Sequence, residues 1–169
     1  MTLEKAIKTA IEYETKVCDL YFENAKKFRD PVAMKIFKVL ADEEQHHVDY
    51  LESRLEEWEK TGKITVEKLE SCVPSRDKIE SNVKTLKERA DRQDFGVEIE
   101  IFKKALALEV ETSKFYKKMV AELPADDQPL FARFVEIEEG HEAIVQAEID
   151  AAQGLGFWFD FMEFGLEKA

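Results

Sequence analysis

The chain has 169 residues, of which 44% are hydrophobic and 37% charged, with a net charge of −12 and only six Gly and four Pro. That composition suits one domain of long helices and excludes an all-β fold, which needs a turn about every ten residues. So acidic a chain repels phosphate backbones, so no nucleic-acid partner is expected. It also lacks both a signal-like leader and any run of about 18 apolar residues, so a membrane span is not expected and a cytoplasmic location is.

Apolar residues recur at helical spacing from Thr2 to about Phe28, through Leu3, Ala6, Ile7, Ala10, Val17 and Tyr21, and predict a first helix. Arg29-Asp30-Pro31 breaks it, and Pro31 suits the first turn of a second helix running to about Lys60, where Thr61-Gly62 ends it. Residues 61–95 are polar, contain Pro74, and hold one weaker helical stretch over roughly 75–92. Periodicity resumes near Val97 and continues to Leu123; after a turn through Pro124-Ala125-Asp126 a fourth helix runs to about Ala152. The Gly-punctuated aromatic tail, 154–169, is too short to span a bilayer; it is read either as packing across the bundle end or a subunit interface, or as a docking segment for a partner or membrane.

A helix of about 27 residues is about 40 Å long, and the long connection can return along it, leaving the second and third long helices parallel. The expected fold is therefore all-α: a four-helix bundle over 1–153 with one long crossover, 61–95, that contains a short extra helix, which is the ferritin-like topology.

The two hairpins repeat one another. Glu14 and Glu109 are 95 residues apart, as are Tyr21 and Tyr116. Past the turn the offset is 94, for Phe37 with Phe131, Glu44 with Glu138, and His47 with His141. Glu and His at i, i+3 share a helix face, and residues seven apart nearly do. Glu14 and Glu44 lie about 16 and 14 residues from the first turn, and Glu109 and Glu138 about 16 and 13 from the second, so at 1.5 Å per residue all four reach one layer. Four carboxylates buried together need a counter-charge. Two divalent metals would supply it, and Glu from two helices with Glu-x-x-His from two others is the di-iron carboxylate pattern. Carboxylate with imidazole suits iron or manganese better than thiophilic metals, and zinc is a further substitute.

At these positions the sequence resembles the rubrerythrin family of ferritin-like di-iron proteins. The matching motifs are Glu14-x6-Tyr21, Glu44-x-x-His47 in ADEEQHHVDYL, Glu109-x6-Tyr116 in ALEVETSKFY, and Glu138-x-x-His141 in EIEEGHEAIV. The resemblance implies a site of two Fe ions bridged by Glu44 and Glu138, with Glu14, Glu109, His47 and His141 as terminal ligands. Tyr21 and Tyr116 would hydrogen-bond the carboxylates; their alternative is plain core packing. The chain departs from the family in two ways. It has no four-cysteine rubredoxin motif, so a rubredoxin-like external electron donor is expected. Thr112 stands where an additional carboxylate is usual, and Glu111, about 200° from Glu109 around a helix, does not share its face.

A single Glu-x-x-His in so acidic a chain is motif noise: His46 also has Glu43 three residues before it. His46 points about 100° from His47 and is expected to be exposed. Cys18 reads as a buried small hydrophobe, and Cys72 carries no signal. The leading expectation is a di-iron oxidoreductase reducing hydrogen peroxide. Its alternatives are a ferroxidase or iron-handling protein using dioxygen, and a metal-stabilised structural module. A homo-oligomer, foremost a dimer, is expected.

Overall fold

A computed structural model describes residues 1–29, 31–83 and 96–153. Helix α1 spans Leu3–Asn24, α2 Pro31–Thr61, α3 Arg76–Val83, α4 Gly96–Glu122 and α5 Gln128–Ala152. No strand occurs among the described residues. The expected end of the first helix at Phe28 is corrected: the α-helix stops at Asn24, and Ala25–Lys27 tighten into a 3-10 turn before an extended Phe28. Helices commonly finish this way when the chain must reverse, because i→i+3 bonds satisfy the last carbonyls in less length. Of the helix expected over 75–92, the part from Arg76 to Val83 forms; residues 84–92 and the aromatic tail 154–169 lie outside the described residues.

Local signals account for the ends. Thr2 caps α1, its side chain accepting from the Lys5 amide. Pro31 opens α2, and a proline also lies in the first turn of α5. Gly62, at φ +68, takes the left-handed position after α2, and its amide bonds the Trp58 carbonyl at 2.8 Å.

Helix α1 packs on α2, α4 on α5, and α1 on α4. Helices α1 and α4 are antiparallel, because Tyr21 reaches Glu109 while Tyr116 reaches Glu14. Since α1 is also antiparallel to α2, α2 and α4 run in parallel, and the crossover makes that possible. The four long helices form an all-α, ferritin-like bundle.

The apolar core is split in two. One cluster gathers Val17, Tyr21, Phe28, Phe37, Leu40 and Phe102; the other gathers Ile7, Leu51, Tyr116, Met119, Phe131 and Phe134. Each large buried apolar side chain contributes about 1.5–3 kcal/mol. Between the clusters lies a layer of buried polar groups, whose desolvation opposes folding by several kcal/mol per ion. A small bundle retains such a layer only where something compensates it.

Candidate metal centre

That layer consists of Glu14, Glu44, His47, Glu109, Glu138 and His141, each at most 1% exposed. Each long helix delivers one carboxylate, and α2 and α5 add a histidine one turn later. Ligand atoms of Glu14, Glu44, His47 and Glu138 lie within 4.8 Å of one another, and so do those of Glu44, Glu109, Glu138 and His141. The two groups share Glu44 and Glu138.

Both histidines turn Nδ1 into the layer. His47 Nδ1 lies 3.1 Å from Glu14 Oε2, 3.1 Å from Glu44 Oε2 and 3.9 Å from Glu138 Oε1. His141 Nδ1 lies 2.7 Å from Glu44 Oε1 and 3.9 Å from Glu109 Oε2. The two oxygens of Glu44 thus face different imidazoles. The rings stack with centroids 5.6 Å apart, 11° from coplanar.

The tyrosines bond crosswise. Tyr21 on α1 donates to Glu109 on α4, and Tyr116 on α4 donates to Glu14 on α1. Each ring also packs on the repeated phenylalanine of its own hairpin, Tyr21 edge-on to Phe37 at 4.9 Å and Tyr116 tilted on Phe131 at 6.0 Å. This contact explains why Phe37 and Phe131 belong to the repeat.

Electrostatics show how poorly this layer holds its own charge. Burial pushes Glu44 and Glu138 well above the usual carboxylate range, and the facing carboxylates, Glu14 first, add to it. Burial likewise raises Glu109. For Glu14 burial acts in the same sense, but hydrogen bonds from His47, Glu44 and Tyr116 outweigh it and hold the group low. Burial alone would depress His141; Glu44, Glu43 and Glu109 instead raise it to about 10. Burial and the neighbouring carboxylates push both tyrosines well above their ordinary value, so they remain hydrogen-bond donors.

Both oxygens of Glu138, Oε2 of Glu109 and Nε2 of His141 are buried without a hydrogen-bond partner, and Oε1 of Glu44 and Nδ1 of His141, though 2.7 Å apart, are not aligned for a hydrogen bond. Buried polar atoms are nearly always paired, so a concentration of orphans in one layer indicates a missing partner. Four carboxylates and two imidazoles match two divalent cations in charge, and the hard oxygen and borderline nitrogen donors match iron or manganese. The residues fit such a group.

The other candidates fall elsewhere. His46 is exposed on α2, about 100° around the helix from His47. Glu111 is exposed and raises the Tyr13 hydroxyl beside it, burial being the larger cause, so it faces away from the layer. Thr112, one turn beyond Glu109, is fully buried with its hydroxyl lacking a hydrogen-bond partner. Cys18 is buried, its thiol 3.6 Å from the Ala41 carbonyl and pushed up to about 11 by burial and then by Glu44. It stays a protonated thiol. Sequence reasoning passed over Glu43, whose Oε2 lies 3.6 Å from His141 Nε2 and 4.0 Å from His47 Nε2. Its one signal was an acid in the first hairpin where the repeat places Ile137 in the second.

Among the described residues no helix is long and apolar enough to cross a membrane. A family model described as Rubrerythrin matches residues 5–149. No curated protein and no solved structure matches the chain.

Proposed function

Because the chain belongs to the rubrerythrin family, we propose that its buried carboxylate–imidazole layer holds two iron ions and reduces hydrogen peroxide with electrons from an external carrier. The observation that carries this reading is the pair of four-residue groups sharing Glu44 and Glu138. Two metals that each take four of these six residues must share two of them. Glu44, with one oxygen toward each histidine, is suited to bridge, and Glu138 joins it. Glu14 and His47 would complete one metal position, and Glu109 and His141 the other. Iron bound there would supply one reducing equivalent per ion and Lewis-acid polarisation of the oxidant.

The chain's own groups set the conditions. Tyr21 and Tyr116 hold the terminal carboxylates Glu109 and Glu14 from outside, fixing which oxygen is left for metal. The apolar clusters on either side restrict water, so the charges interact in a low dielectric. Peroxide, two electrons and two protons give two waters; the electrons come from a rubredoxin-like carrier and the protons from solvent. The two cysteines, 54 residues apart in sequence, form no four-thiolate relay. We further propose a homodimer acting in the cytoplasm.

Thr112 favours a second reading. A hydroxyl stands where the family's additional carboxylate is expected, which weakens the peroxidase inference and leaves a ferroxidase using dioxygen. Stopped-flow oxidation of the reduced, iron-loaded protein separates the two. Faster oxidation by peroxide than by dioxygen is expected, with sustained turnover only when a carrier and its reductase are added. Equal or faster oxidation by dioxygen would transfer the assignment to the ferroxidase reading.

A further inference from the structure

Among the positions where the repeat relating the hairpins fails, two beside the metal layer meet the crossover. At the 94-residue offset, Glu43 corresponds to Ile137 and His46 to Gly140. Gly140 is required there: a Cβ would stand 2.7 Å from the Pro74 carbonyl oxygen, which is backbone and cannot swing aside. The crossover therefore lies directly on α5 between Glu138 and His141. It is tied down on both sides of that contact, by Arg133 Nε donating to the Leu69 carbonyl at 2.9 Å and by Arg76 with Glu142 at 3.2 Å.

From this docked segment two donors reach α2. Ser71 Oγ and the Cys72 amide both donate to the Glu43 carboxylate, at 2.7 and 2.6 Å. Burial would raise Glu43, but His141, the Cys72 amide and Ser71 hold it well below the usual carboxylate range. Its Oε2 faces the Nε2 edge of both imidazoles, and neither Nε2 has a hydrogen-bond partner. A histidine that ligates through Nδ1 needs an acceptor near Nε2–H to fix its tautomer and ring angle. The second hairpin offers Ile137 at the corresponding place, so one carboxylate serves both rings.

We infer that Ser71, together with the Cys72 amide, is a positioning residue of the metal centre: the crossover clamps Glu43 so that a single carboxylate orients His47 and His141 together. This rests on the metal-centre reading above. Glu43, His47 and His141 are also close enough to hold an ion. Ligation through Nε2 as well as Nδ1 would require both rings to become imidazolates, so the acceptor role is the cheaper one.

The test is Co²⁺ titration of the full chain against a competing chelator, with ligand-field spectra, for the wild type and for Ser71→Ala, Ser71→Thr, Glu43→Ala and Arg133→Lys. Two Co²⁺ are expected in the wild type and in Ser71→Ala. Affinity should fall roughly tenfold in Ser71→Ala and up to about 100-fold in Glu43→Ala, the range typical of outer partners of ligating histidines. The Ser71→Ala bands should shift, and Ser71→Thr should restore both affinity and spectrum. Arg133→Lys, which loosens the same segment at Leu69 but removes no donor to Glu43, should cost less affinity than Ser71→Ala. Unchanged affinity and spectrum in Ser71→Ala, or an equal loss in Arg133→Lys, would overturn the inference. So would a third Co²⁺ that disappears in Glu43→Ala, since Glu43 would then be a ligand. A wild type that binds no Co²⁺ would refute the metal-centre reading itself, and this inference with it.

Discussion

Tyr21 gives its hydroxyl hydrogen to Glu109 on the opposite hairpin, although Glu14 lies seven residues before it on the same helix face. Tyr116 returns the arrangement by donating to Glu14. Antiparallel packing of α1 on α4 puts each tyrosine level with the other helix's glutamate, so the hairpins are cross-linked through the groups proposed to hold metal. Hydrogen bonds to charged groups are worth about 1.5–3 kcal/mol. Tyr21→Phe and Tyr116→Phe should each lower stability by about that amount in denaturant titrations of the metal-loaded protein, and by similar amounts. A large effect from one and none from the other would contradict the symmetric role.

The histidines differ in what they touch. His47 is buried against Glu14 and Glu44, whereas His46 is exposed. His47→Ala should weaken iron binding by about tenfold or more, and His46→Ala should leave it within about twofold, as read by competition titration. The reverse order would show that the helix register is misassigned.

The glutamates proposed as bridges carry the largest burden. In the Glu44→Ala/Glu138→Ala variant both shared ligands are gone, so iron stoichiometry measured after gel filtration should fall below two per chain. Two tightly held irons in that variant would remove the basis for assigning the site to this layer.

The pH dependence follows from His141 and the raised carboxylates. Without metal, His141 is raised from 6.5 to about 10, so the folded state binds more protons than the unfolded state between those values. Its contribution is complete below pH 6.5 and is lost as the pH rises toward about 10. Glu44, Glu109 and Glu138, raised by burial, act in the same sense from 4.5 upward. The metal-free protein should therefore lose thermal stability from pH 6.5 to 10. Metal must displace these protons, so its binding should release protons and tighten as pH rises. Calorimetry in buffers of different ionisation enthalpy measures that release; uptake of protons on binding would contradict the assignment.

Much of this was legible because it rests on helical geometry. Spacing alone brings Glu44 beside His47 and Glu138 beside His141, and distance from the turns sets all four glutamates at one level. The long polar stretch between the hairpins implied the parallel arrangement of α2 and α4. What escaped depends on which surfaces meet. The i, i+7 spacing of Glu14 and Tyr21 places them on one face but does not reveal that the tyrosine's partner lies across the bundle. Glu43 looked like noise, because its three-residue spacing points to exposed His46, whereas packing of α5 brings His141 to it. Ser71 and Cys72 act through a docked coil with no periodicity to read. The 3-10 turn after Asn24 is a matter of chain reversal, to which the apolar pattern through Phe28 is blind.

The most direct test is a crystal structure of the iron-loaded protein with anomalous data collected on both sides of the iron edge. The expected result is two iron peaks about 3.5–4 Å apart, lying between Glu44 and Glu138, one beside Glu14 and His47 and the other beside Glu109 and His141. A single peak, or iron seated only between Glu43 and the Nε2 atoms of the two histidines, would contradict it.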